Sequence, residues 1–147
     1  MENRHDKPSI LLRTVLLLVG ITIIAIGINT GLGGIHTLGL QVPPDFIEIV
    51  DAKDYAVQDS HTRFLGGFWL GAGLLFISGC FRLERQRSVL VILLLMGFVG
   101  GLARFSALDL NLLLGPDVLP SLAFELAGFP LLAFWLHKSA NPQLADS

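Results

Sequence analysis

The chain has 147 residues, 52% of them hydrophobic and 15% charged, with a formal net charge of −2 and a mean hydropathy of +0.67. That length leaves room for one domain, the apolar content is too high for an ordinary soluble fold, and nucleic acid is excluded because binding it needs a basic face. The single cysteine, Cys80, rules out an intrachain disulfide, and without a cysteine or histidine cluster there is no zinc signature.

The apolar residues fall in four blocks, each near the 20 residues that an α-helix needs to cross a hydrocarbon core of about 30 Å. The first, residues 9–29, opens on Pro8 and Ser9, which suit a helix start, behind Arg4 and Lys7. It reads as an uncleaved anchor, because the run is long and no A-x-A cleavage pattern follows it. A long connection, residues 30–62, holds a glycine-rich stretch, a Pro43-Pro44 break and the segment DFIEIVDAKDY. There Phe46, Ile47, Ile49 and Val50 form one side of a short surface helix, or else the segment is an irregular loop.

Helix two is expected over 63–81, helix three over 88–108 and helix four over 120–137. Helix four carries Pro130, whose ring removes the backbone bond to the Leu126 carbonyl and predicts a kink. The fold class is therefore all-α, a single membrane domain (1–147) of four transmembrane helices. Orientation follows from the basic residues. Arg4, Lys7, Arg13, Arg82, Arg85, Arg87 and Lys138 flank one side, and the acidic connections with Asp45, Glu48, Asp51, Asp54, Asp59, Asp109 and Asp117 flank the other. Both termini are then cytoplasmic, the 30–62 connection is extracytoplasmic, and the expected location is an inner membrane.

Charges inside spans are costly and rare. Arg13 near a helix end reaches the headgroups easily, which leaves Arg63, Arg104 and Glu125. Glu125 leans outward from helix four while Arg104 leans inward from helix three, about 6 to 8 Å below the outer rim, so the two can meet as a bidentate pair. Asp59 and Arg63 extend the pair toward the surface. The cluster is either a polar clasp holding helices together or the lining of an outward pocket for an anionic headgroup, an acid or a peptide carboxylate. Snorkelling of unrelated charges is the third alternative.

Helix two reads R-F-x-G-G (Arg63 to Gly67) and helix three G-G-x-x-R-F (Gly100 to Phe105). Gly67 with Gly71, and Gly97 with Gly101, are G-x-x-x-G pairs that allow close helix packing in lipid, expected here between helices two and three. His36 and His61 share the outer side with Asp59 but lack metal-ligand spacing. All four histidines lie outside the spans or at their ends, which disfavours haem. No metal or other cofactor is expected. Trp69 and Trp135 read as packing or interface aromatics, and Cys80 as a small apolar filler.

The stretch D-x-x-x-R-F-x-G-G (Asp59 to Gly67), G-x-G-L (Gly71 to Leu74), G-G-L-A-R-F-S (Gly100 to Ser106), Gly115-Pro116 and Glu125 resembles a bacterial membrane family catalogued as domain of unknown function 4345. The resemblance implies a compact four-helix inner-membrane protein with no established activity, and it places Asp59, Arg63, Arg104 and Glu125 among the motif positions. It supplies no catalytic residue. The first functional expectation is a noncatalytic module, either an accessory subunit of a membrane-protein partner or a binder of lipids or other amphiphiles. The second is a small transporter working as a homo-oligomer. An intramembrane enzyme has the least support, because Glu125 is the one carboxylate within a span.

Overall fold

The computed structural model describes residues 10–40 and 49–139. These residues are helical almost throughout, with no strand among them. Four helical stretches are long and apolar enough to cross a membrane: Ile10–Thr37, Ala52–Phe81, Leu83–Ala107 and Leu119–Lys138. The chain is a multi-pass membrane protein. Its described residues fall into two compact units, one within Thr14–Phe81, the other made of residues 82–139 together with residues 10–13.

The Thr14–Phe81 unit is built from α1 (Ile10–Gly33), a short 3-10 helix (Gly34–Leu40) and α2 (Ala52–Phe81). Small residues let α1 and α2 approach backbone to backbone, the packing that substitutes in lipid for a hydrophobic drive between helices. A Cβ at Gly73 would sit 2.8 Å from the Ile24 nitrogen, one at Gly27 would meet the Leu70 backbone, and one at Gly66 would strike the backbone of Gly31. Gly20 lies beside Gly73 and Phe76, and Gly31 beside Gly66, so the two helices run antiparallel. Phe76, Leu16, Val19, Ile23 and Ala72 fill the interior.

This unit departs from expectation at the connection. Helix α2 starts at Ala52 instead of Arg63, and α1 runs to Gly33, with helical turns continuing to Leu40. Asp51 caps the early start: its carboxylate accepts from the Lys53 and Asp54 N–H groups at 2.8 and 3.0 Å, satisfying donors that a helix N-terminus leaves open. At about 1.5 Å per residue α2 is about 45 Å long, more than the hydrocarbon core needs. Of the proposed surface helix, Phe46 and Ile47 lie outside the described residues, and Ile49 and Val50 are not helical.

The second unit contains α3 (Leu83–Ala103), a 3-10 turn (Arg104–Ala107), α4 (Leu110–Leu113) and the fourth span, which is divided into α5 (Leu119–Ala123), a π turn (Phe124–Gly128) and α6 (Phe129–Lys138). Leu83, Leu90, Leu94, Gly97 and Gly101 form the buried face of α3; Leu122, Phe129, Leu132, Ala133 and Leu136 are the buried residues of the fourth span. Leu108 adopts a left-handed conformation (φ 54°), and Asp109 then caps α4 through the Leu112 N–H at 3.0 Å. Pro120 sits in the first turn of α5, where its missing N–H costs nothing. The break expected from Pro130 takes the form of the π turn directly before it. The Phe129 N–H reaches back five residues to the Phe124 carbonyl.

Candidate functional site

Arg104 and Glu125 meet inside the second unit. Arg104 Nε donates to Glu125 Oε2 and Nη2 to Oε1, both at 2.7 Å, a fork-on-fork geometry in which both carboxylate oxygens are used. Arg104 stands just past α3, where its N–H bonds to the Gly101 and Leu102 carbonyls. Glu125 is the second residue of the π turn.

Gly101 makes the pairing possible. A Cβ there would lie 2.8 Å from Glu125 Cβ and 3.3 Å from Oε2, so only hydrogen leaves space for the carboxylate's stem against α3. One turn along α3, Gly97 gives the same clearance to the Phe129 ring. The pair is lopsided in exposure. Glu125 keeps 16% of its side-chain surface open and Arg104 keeps 41%. The carboxylate side chain is largely covered while the arginine side chain stays more open.

Asp59 and Arg63 form the second pair, one turn apart on α2, with Arg63 Nε to Asp59 Oδ2 at 2.6 Å. Their other bonds show what they do. Asp59 Oδ1 accepts the Ile35 N–H at 2.9 Å, and Arg63 Nη1 donates to the Leu32 carbonyl. Those are groups that the end of α1 leaves without helical partners. The chain turns at Gly34 with φ +65°, the left-handed stop that glycine adopts without strain. A Cβ at Gly34 would also collide with Asp59 Oδ1. This pair therefore caps α1 from α2, a role that the sequence reading did not assign. Its signal was the Gly33-Gly34 doublet at the end of an apolar run. Thr37 closes the same corner by donating to the Asn29 carbonyl at 2.8 Å.

The glycines divide differently from expectation. Gly97 and Gly101 are packed, but against Phe129 and Glu125 of the fourth span, whereas a Cβ at Gly67 or Gly71 meets nothing within 4 Å. In that helix Gly66 and Gly73 make the close approaches. Of the histidines, His36 stacks at a tilt on Tyr55, centroids 5.7 Å apart, and Asp59 spends both oxygens on Arg63 and Ile35. Cys80 is buried, its thiol donating to the Phe76 carbonyl at 3.3 Å.

No curated protein and no solved structure gives a significant match to the chain. A family model does, over residues 11–136, and those residues take in both arginine–carboxylate pairs, the capped turn at Gly34 and the π turn. The match covers most of the sequence and all four spans, and the chain belongs to the family described as a domain of unknown function (DUF4345).

Proposed function

We propose that the protein is a noncatalytic membrane module that binds an acidic amphiphile, a lipid or fatty acid headgroup, at Arg104. The observation that carries this reading is the uneven exposure of the Arg104–Glu125 pair. Glu125 uses Nε and Nη2 of the guanidinium, leaving Nη1 and the second Nη2 hydrogen to an incoming anion. Because Glu125 already fixes the arginine, little side-chain freedom is left to lose when an anion arrives. The apolar residues around it, Leu102, Phe105 and Leu108, are exposed and supply the contact that an acyl chain needs. The basic flanks of the chain favour an inner-membrane topology with cytoplasmic termini and Arg104 toward the outer leaflet.

The test is native mass spectrometry of the protein in phosphatidylcholine nanodiscs doped with phosphatidylglycerol or a fatty acid. The wild type should retain one more acidic amphiphile than Arg104→Ala does. A protein equally empty or equally loaded in both forms overturns the reading. The bidentate geometry and the tailored Gly101 favour a second reading, a clasp with no ligand. It predicts strong Arg104–Glu125 coupling in melting experiments but no retained amphiphile. Solute or proton flux in liposomes that Glu125→Gln abolishes would replace both with a transporter.

A further inference from the structure

Arg104 has its carboxylate, but the arginines at the other end of α3 do not. Arg82, Arg85 and Arg87 flank its start and Lys138 ends α6, and among the described residues none of the four makes an ion pair. Gly97 beside Phe129 and Gly101 beside Glu125 set α3 and the fourth span antiparallel. That register brings the Lys138 end of α6 level with the first turns of α3. The unit thus ends in a collar of four cations, with Glu84 the one acid in the first turn of α3.

The collar is joined to an apolar track. Arg85, Val89, Ile92 and Met96 are spaced by four, three and four residues and share one face of α3. All four are exposed, on the side away from Leu83, Leu90, Leu94, Gly97 and Gly101. Arg82 is also exposed, and its side chain supplies no cap to the helix. Glu84 is one residue off the track, about 100° round the helix.

We infer that this face is a binding site for an anionic phospholipid, with Arg82 and Arg85 holding the phosphate and Val89, Ile92 and Met96 running along an acyl chain. A soluble anion would use the cations and leave the track bare; a neutral lipid would use the track and leave the cations unpaired. Only a lipid with a net negative headgroup satisfies both, in a chain whose helices are long enough to place the collar at the edge of the hydrocarbon. This site is separate from Arg104 and does not rest on the function proposed above.

The experiment compares lipid retention by native mass spectrometry in nanodiscs of equal phosphatidylcholine and phosphatidylglycerol. Wild type should prefer phosphatidylglycerol by roughly ten- to thirty-fold, on the scale of two arginines near an anionic headgroup. On an Arg104→Ala background, which removes the anion site proposed above, the double substitution Arg82→Gln with Arg85→Gln should abolish the preference, and Lys53→Gln, which removes an exposed cation from the start of α2, should leave it intact. Added inorganic phosphate should not displace the lipid. Equal retention of the two lipids by wild type, or an undiminished preference in the double variant, overturns the inference. Displacement by free phosphate also overturns it, in favour of a soluble-anion site. If the double variant fails to fold, the single substitution Arg85→Gln should lower the preference several-fold, and an unchanged preference in it overturns the inference.

Discussion

Helix α3 carries arginines past both ends, and they are used in opposite ways. After Ala103, Arg104 is gripped by both oxygens of Glu125, whose stem lies against a glycine. Before Leu83 and in the first turns beyond it, Arg82, Arg85 and Arg87 have no carboxylate among the described residues. About twenty residues, or roughly 30 Å, separate the two groups. The same guanidinium is a structural bond where the protein supplies the counter-charge. Where the protein supplies none, it is left for the surroundings to neutralise. Arginine in a membrane helix therefore has to be read together with what its neighbours make available.

The sharpest way to break this contrast is to deny the paired end its geometry. Gly101→Leu drives carbon into the space held by Glu125 and should cost about 3 kcal/mol, read as denaturant or thermal unfolding in detergent. Next comes Glu125→Ala, which leaves a half-covered cation alone; the partial exposure of Arg104 brings the expected loss down to about 2 kcal/mol. The double variant with Arg104→Ala should lose less than the sum of the single losses, and strictly additive losses would deny that the pair acts as a unit. Arg104→Lys keeps the charge but forfeits the fork, an expected cost of about 1 kcal/mol. Smallest of all, Arg82→Gln with Arg85→Gln should change unfolding in detergent by no more than about 0.5 kcal/mol. Should that pair prove as costly as Glu125→Ala, the two ends of α3 would not differ as described.

The spans were legible because burying about 20 apolar residues in lipid leaves few alternatives, and the Arg104–Glu125 contact followed from depth and the lean of side chains on opposed helices. The early start of α2 was missed for a physical reason. Its first turns, AKDYAVQDSHT, are polar and stand clear of the core, so no hydrophobic period marks them. The one available sign was Asp51 as a cap. Neighbouring glycines posed a different difficulty: Gly66 and Gly67 point about 100° apart, and composition alone does not tell which faces α1. The role of Asp59 and Arg63 needed the fold itself. Their partners, the Leu32 carbonyl and the Ile35 N–H, are backbone groups, and backbone groups carry no residue-specific signature.

The π turn before Pro130 fits one more residue into a single turn of the fourth span than an α-turn would. Residues four apart share a face of the helix, and Glu125 and Phe129 stand at that spacing across the wide turn. Both face the line of Gly101 and Gly97. The bearing of the carboxylate is consequently set by the number of residues between Phe124 and Gly128, and much less by which residues they are. Substituting the exposed Ala127 should be a mild event, whereas removing it would re-phase the helix and turn Glu125 away from its arginine. In this part of the molecule chain length acts as a rotational setting, so a one-residue deletion is the harsher mutation.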